Sequence, residues 1–83
     1  MSLLSPDCGL ADAHMSALAQ VLRALPRLQV LNLSGNNMTS LPSAAVAGCT
    51  NLRELDVMFC RNLLCLDKLI VDMPSLQVTR RLY

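Results

Sequence analysis

Four cysteines and one histidine are the side chains of this 83-residue chain best suited to bind a metal, form disulfides or act as nucleophiles: Cys8, Cys49, Cys60, Cys65 and His14. Zinc ligands usually come in close pairs such as C-x-x-C, whereas forty, ten and four residues separate these cysteines. The first residues lack the basic start and apolar centre of a secretory leader, so we expect reduced thiols that pack as small apolar groups. The pattern therefore predicts no metal, no cofactor and no disulfide framework.

Catalysis is equally poorly supported by the sequence. Neither G-x-S-x-G nor a glycine-rich phosphate loop is present, and the chain has three glycines in all. A cysteine–histidine pair would need His14 to meet a thiol, and Cys8, the nearest in sequence, has a different predicted role. We therefore expect that the chain is not an enzyme and that His14 is an ordinary helix residue.

The charge and the hydropathy of the sequence argue against a nucleic-acid partner and against a membrane-spanning segment. The formal charge is +1 with no basic block, so no nucleic-acid interface is predicted. No apolar run approaches the roughly 18 residues needed to span a bilayer, and we expect an intracellular, cytoplasmic location without membrane contact. Apolar residues make up 53% of the sequence, but there is one Phe, one Tyr and no Trp. Such a composition favours thin layers of Leu, Val, Ala and Met.

An internal repeat accounts for the placement of these apolar residues. The phrase "LQVLNL" at Leu28 returns as "LRELDV" at Leu52 and as "LQVTRR" at Leu76, a period of 24 residues. A fixed period of this size indicates a solenoid. Four upstream residues precede Leu31, Leu33, Asn36 and Met38 by 28 positions each: Leu3, Ser5, Cys8 and Leu10.

The pattern L-x-x-L-x-L-x-x-N/C-x-L resembles the leucine-rich repeat family. One unit matches with Leu28, Leu31, Leu33, Asn36 and Met38, followed by "LP" at Leu41. The next matches with Leu52, Leu55, Val57 and Cys60, and because Asn62 stands at an apolar position, Leu63 and Leu64 are expected to replace it.

The resemblance implies an α/β solenoid, a right-handed β-α superhelix with a short parallel sheet on the concave side and helices or helical turns on the convex side. It implies one domain, 1–83, with units of about 1–27, 28–51 and 52–75 and a partial unit 76–83. The first unit resembles the ribonuclease-inhibitor type, and the later units are shorter and contain cysteine.

Strand alternation predicts the inside and the outside of each unit. Leu31 and Leu33 should point inward, while the turn that follows buries backbone N–H and C=O groups that need partners. Asn36 can bond them, and cysteine at the same position packs in its place. The predicted structural ladder is therefore Cys8, Asn36 and Cys60.

The segments between strands should return along the convex side. A helical stripe lies between Asp12, predicted to cap its start, and Pro26: Met15, Leu18, Val21, Leu22 and Leu25. The next connection, "LPSAAVAGCTN", has room for a short helical turn. The third, "CLDKLIVDMPS", predicts a brief helix that ends before Pro74.

Outward strand positions form columns across the concave sheet. The period predicts the columns Ser2, Val30, Glu54 and Val78; Leu4, Asn32, Asp56 and Arg80; and Pro6, Ser34, Met58 and Leu82. A mixed apolar and charged surface suits protein recognition, and the predicted contact residues are Val30, Asn32, Ser34, Glu54, Asp56, Met58, Val78 and Arg80. The alternative for Asp56 is a pair with Arg80 on the next strand. Phe59 is left open between burial and contact, and the same alignment places Thr79 and Arg81 where inward leucines belong.

Three functions remain open at this point. The resemblance implies a protein-interaction module with a concave binding surface. A structural role is the alternative, in which the chain is a repeat fragment of a longer protein or self-associates through uncapped ends. A third is substrate recognition as an adaptor of a ubiquitin ligase, since "LRELDVMFCRNL" resembles the repeats of F-box proteins.

Overall fold

The computed structural model describes residues 1–63 and 67–79. Strands and helices alternate along the chain in the order β1 (Ser2–Leu4), α1 (Met15–Arg23), β2 (Val30–Asn32), α2 (Ser43–Ala47), β3 (Glu54–Asp56), α3 (Asp67–Asp72) and β4 (Gln77–Thr79). None of the helices in this part of the chain has the length and apolar character needed to cross a bilayer.

The strands form one four-stranded parallel sheet in the order of the sequence, β1-β2-β3-β4. Each step to the next strand passes through a helix on the far side, and α2 packs between α1 and α3. This arrangement confirms the predicted α/β leucine-rich repeat solenoid. Ser2 pairs with Val30 and Val30 with Glu54, so the first three strands follow the predicted columns.

The last strand departs from the predicted columns. Glu54 pairs with Gln77 rather than Val78, and Leu55 pairs with Val78. Val78 is half-buried against the core, so the prediction that it belongs to the contact face is wrong. Because side chains alternate along a strand, this register places an apolar residue inside, whereas the 24-residue alignment would place Thr79 there. Arg80, Arg81 and Leu82 lie outside the described residues.

The core lies between the sheet and the helices. Leu31 and Leu55, at the centres of β2 and β3, are almost completely buried, whereas Leu3 and Val78, at the centres of the two end strands, are only half-buried. Each layer is thus covered by its neighbours, which is the packing expected of a solenoid. Leu63 is buried after Cys60, as expected for a residue that replaces Asn62, and Leu64 lies outside the described residues.

Helix α1 buries one face with a spacing of three and four residues. Its inward residues are Met15, Ala19 and Leu22, and Leu18 is half-buried. Val21 was predicted to belong to the same stripe, but it is exposed because it lies on the adjoining face. Helices α2 and α3 are short, and α3 ends before Pro74, as predicted.

Asp12 does not cap the helix as predicted. A 3-10 turn over Asp12–His14 precedes α1, and the backbone N–H of Ala11 donates to Nδ1 of His14 at 3.0 Å. Asp12 instead accepts hydrogen bonds from the backbone N–H and the hydroxyl of Thr39, at 2.8 and 2.6 Å. Thus His14 stabilises the start of the helix, while Asp12 links the first repeat to the second.

Candidate protein-binding surface

The concave face of the sheet is an open groove of about 360 Å³. It is lined chiefly by the outward side chains of three strands: Val30, Asn32, Glu54, Asp56, Gln77 and Thr79. Within the described residues, no helix covers this side of the sheet, because the helices pack on its other side, where their buried residues share the core with Leu31 and Leu55. The groove therefore offers both apolar and acidic groups to another molecule.

Two of the predicted contact residues also hold the ends of their own strands. Oδ1 of Asn32 accepts hydrogen bonds from the backbone N–H and the hydroxyl of Ser34, at 3.0 and 2.8 Å. At the equivalent place in the next repeat, Oδ1 of Asp56 accepts from the backbone N–H of Met58 at 3.0 Å. Such turns are typical of Asn and Asp. The recurrence of Asn and Asp at an interval of 24 residues is the sequence signal for them, and sequence reasoning missed it.

A buried asparagine joins the first repeat to the second. Oδ1 of Asn36 accepts hydrogen bonds from the backbone N–H groups of Cys8 and Leu10, both at 3.0 Å. Its Nδ2 donates to the carbonyl oxygens of Ser5 and Leu33, both at 2.9 Å. One side chain thus satisfies backbone groups on two consecutive turns, as the burial of those groups demands.

The cysteine at the equivalent position of the next repeat makes fewer bonds. Cys60 is buried, and its Sγ donates to the carbonyl oxygen of Leu33 at 3.1 Å. In the described part of the chain, the backbone N–H groups of Asn36 and Met38, which correspond to those of Cys8 and Leu10, make no hydrogen bond. The thiol of Cys60 therefore takes the place of the asparagine Nδ2 as a donor, but it supplies no acceptor in the place of Oδ1.

Cys8 was predicted to be a buried member of the ladder, and this prediction is wrong. Its side chain is exposed, and Sγ donates to the carbonyl oxygen of Pro6 at 3.4 Å, within its own repeat. The equivalent side chains of Asn36 and Cys60 each reach back to the preceding repeat. Because Cys8 belongs to the first layer of the stack, its thiol turns to a local acceptor.

The residue just before each ladder position has a left-handed backbone. The φ angles are 51° at Asp7, 70° at Gly35 and 60° at Phe59. This conformation suits glycine, and a residue with a side chain loses about 1–2 kcal/mol by adopting it. Phe59 nevertheless has this backbone conformation, and 47% of its surface is exposed.

The family comparison agrees with this geometry. The family model for leucine-rich repeats, in two copies, matches residues 26–71, more than half of the chain. The chain belongs to the leucine-rich repeat family. No solved structure matches it. Leucine-rich repeats generally mediate protein–protein interaction and are generally binding repeats rather than enzymes.

The described cysteines of this leucine-rich repeat chain differ in burial: Cys8 is exposed, whereas Cys49 and Cys60 are buried. Cys49 is buried, its Sγ lies 3.5 Å from the carbonyl oxygen of Leu22, and burial raises the pKa of its thiol. Among the described residues, no three His, Cys, Asp or Glu side chains are grouped closely enough to hold a metal ion. Cys65 lies outside the described residues.

The N-terminal end of the leucine-rich repeat stack has a second, apolar groove of about 280 Å³. Its lining comes from β1, the turn after it and one face of α1: Leu3, Ser5, Leu10, His14, Ala17, Leu18 and Val21. The corresponding surface of the second repeat is covered by the first. This groove is therefore the exposed side of the first layer.

Proposed function

We propose that this chain is a protein-interaction module that holds a protein partner on the concave face of its sheet. The observation that carries the proposal is the open groove over β2, β3 and β4, which no helix of the described chain covers. The proposed contact residues are those of the outward rows: Val30, Asn32, Ser34, Glu54, Asp56 and Met58, joined by Gln77 and Thr79 in the place of Val78. Arg80 stays a predicted contact.

The proposal includes no reaction. Cys8 and His14, the cysteine–histidine pair closest in sequence, each bond a local backbone group, to Pro6 and Ala11 respectively. A binding role in a reducing, cytoplasmic compartment is consistent with the free thiols of Cys8, Cys49 and Cys60.

Affinity capture from a lysate tests the concave face, with a matched change on the convex side. Val30→Arg with Gln77→Arg places two long cations in the groove, whereas Gln20→Arg with Val71→Arg places two on exposed positions of α1 and α3. We expect the first variant to lose a captured protein that the wild type and the second variant retain, after circular dichroism shows that all three are folded. Loss with the convex variant alone would place the working surface elsewhere.

A structural role is the second candidate, and the apolar groove at the N-terminal end favours it. A second copy of the chain or further repeats would cover the half-buried Leu3, Leu10 and Leu18. Sedimentation over a range of concentrations tests self-association. Ala17→Glu with Val21→Glu should abolish any dimer, and Gln20→Glu with Arg23→Glu on α1 outside the groove should not. A wild type that stays monomeric at every concentration contradicts self-association.

A narrower form of the main proposal is substrate recognition for a ubiquitin ligase. It is supported only by the resemblance of "LRELDVMFCRNL" to the repeats of F-box proteins. The same capture experiment tests it: ligase subunits should be recovered together with the protein bound at the concave face.

A further inference from the structure

The acidic side chains of the groove lie on one strand, with uncharged neighbours on either side. Glu54 is exposed and Asp56 half-buried, and both lie on the outward side of β3. Val30 and Asn32 flank them on β2, and Gln77 and Thr79 on β4. Neither carboxylate forms an ion pair within the described residues, and Oδ1 of Asp56 is already engaged by the N–H of Met58. Among residues 1–63 and 67–79, these two negative charges therefore have no cationic partner, and Arg80, the predicted partner of Asp56, lies outside that range.

The same strand leads into an exposed aromatic ring. Met58 is half-buried, and Phe59 follows it in a left-handed conformation with 47% of its surface exposed. Gly35 and Asp7 show that this position of the repeat requires no large side chain. Exposed aromatic residues beside polar ones are frequent anchors of protein interfaces.

We propose that the groove binds an extended peptide segment that carries two cationic side chains at alternate positions, followed by an apolar one. The inference depends on the proposed concave-face function and specifies its partner. Alternate residues of an extended chain are roughly 6.6 Å apart, the same spacing that separates Glu54 from Asp56 along β3. A segment alongside this strand can therefore place a cation near each carboxylate and an apolar side chain toward Phe59.

Three synthetic peptides test this partner chemistry. The first is Gly-Arg-Thr-Arg-Thr-Leu-Gly, the second has both arginines replaced by glutamate, and the third has both replaced by glutamine. In ¹H–¹⁵N NMR titrations, we expect the arginine peptide to shift the amide signals of 54–59 and of the facing Val30 and Gln77. The other two should not shift them, and added salt should weaken the effect.

Charge-neutral variants identify the groups responsible. Glu54→Gln with Asp56→Asn removes both charges but keeps an oxygen at residue 56 to accept from the Met58 N–H. We expect about fivefold to tenfold weaker binding of the arginine peptide. Phe59→Gly, which suits the left-handed backbone, should weaken binding about fivefold. Asp72→Asn on α3 removes one charge outside the groove and should bind as the wild type does.

Several results would overturn the inference. These are absence of binding by the arginine peptide, equal shifts with the glutamate peptide, shifts confined to residues outside the groove, or unchanged affinity in the charge-neutral variant. Failure here is distinct from failure of the proposed function. If Val30→Arg with Gln77→Arg still abolishes capture of a protein while the charge-neutral variant retains it, the concave face binds a partner of different chemistry.

Discussion

The turn that contains Asn36 and the turn that contains Cys60 occupy the same position in successive repeats, yet they join the repeats differently. Asn36 accepts two backbone N–H bonds from the first repeat and donates to carbonyl oxygens of both repeats. Cys60 donates one bond, to Leu33, and the N–H groups of Asn36 and Met38 find no acceptor in the described chain.

The difference shows that asparagine and cysteine at this position are not equivalent, although the repeat pattern treats them alike. Both side chains fill a similar small volume, but only the carboxamide carries a strong acceptor and a strong donor. A buried N–H without a partner costs about 1–3 kcal/mol. The boundary between the second and third repeats is therefore weaker in hydrogen bonding than the boundary between the first and second.

The largest effect is expected at Asn36. In Asn36→Ala the backbone N–H groups of Cys8 and Leu10 lose their acceptor, and the carbonyl oxygen of Ser5 loses a donor. The carbonyl oxygen of Leu33 keeps the thiol of Cys60. We expect a loss of at least about 3 kcal/mol in the free energy of unfolding. Urea denaturation followed by circular dichroism measures it. Asn37→Ala is the control, because that neighbouring side chain is exposed and its hydrogen bond is to Asn62, not to the backbone; it should change the stability by less than about 0.5 kcal/mol. Similar losses for the two variants would show that the buried carboxamide contributes little.

The left-handed residues before the two turns give the next effect. In Gly35→Ala the new Cβ would lie 1.8 Å from Oδ1 of Asp7, so that side chain must rotate while the backbone remains strained. We expect a loss of about 1–2 kcal/mol.

Phe59→Gly relieves the strain but removes a half-buried ring, two opposing effects of about 1 kcal/mol each, so its stability should remain within about 1 kcal/mol of wild type. Phe59→Ala keeps the strain and should be about 1 kcal/mol less stable than Phe59→Gly. Equal stability of these two variants would mean that the turn relaxes when the ring is removed.

Exchange of the cysteine for asparagine tests the comparison directly. In Cys60→Asn the new oxygen can accept from the N–H groups of Asn36 and Met38, and the new amide can donate to Leu33, as Asn36 does one repeat earlier. The two side chains have similar volumes, so we expect a gain of about 1 kcal/mol in the free energy of unfolding. Cys60→Ala, which offers neither group, should be less stable than wild type. Destabilisation by asparagine would show that the second turn differs in shape as well as in chemistry.

The smallest effect concerns Asp12, which joins the same two repeats as Asn36 but at an exposed site. Hydrogen bonds from the hydroxyl and then the N–H of Thr39 lower the pKa of Asp12 below its usual value of 3.8. Its stabilising contribution is therefore present above that pH and is lost as the pH falls through the lower, folded-state pKa. Asp12→Asn should be slightly less stable at neutral pH, and its difference from wild type should shrink in acid. A pH-independent difference would contradict a role for the charge.

The sequence predicted the repeats well where apolar spacing alone determines structure. Leu31 and Leu55 occupy the inward positions that the 24-residue period assigns them, and the first three strands pair in the expected register. The 24-residue period predicted the wrong register for Val78. The strand instead takes the register that buries this apolar side chain opposite Leu55. Contacts such as that of Asp12 with Thr39 join residues far apart in sequence, and no periodic pattern indicates them.

The proposed site was predictable as a face but not in detail. Strand alternation placed Val30, Glu54 and Asp56 on the outward side. That Asp56 also closes a turn was indicated by the recurrence of Asn32 and Asp56 at 24 residues, but strand alternation alone assigned both residues only to the outward face. Cys8 is exposed because it lies in the first layer of the described stack, where no preceding repeat covers it. The repeat motif alone does not indicate this difference.

The sparse hydrogen bonding at Cys60 also bears on the order in which the molecule opens. In a linear stack, each boundary contributes its own free energy, and the weakest one separates first. The third repeat, which carries Glu54 and Asp56, lies beyond that boundary. We therefore expect its amide protons to exchange with solvent sooner than those of the second repeat. A ligand that binds along β3 only when the repeats are packed together should slow that exchange, because it stabilises the packed state.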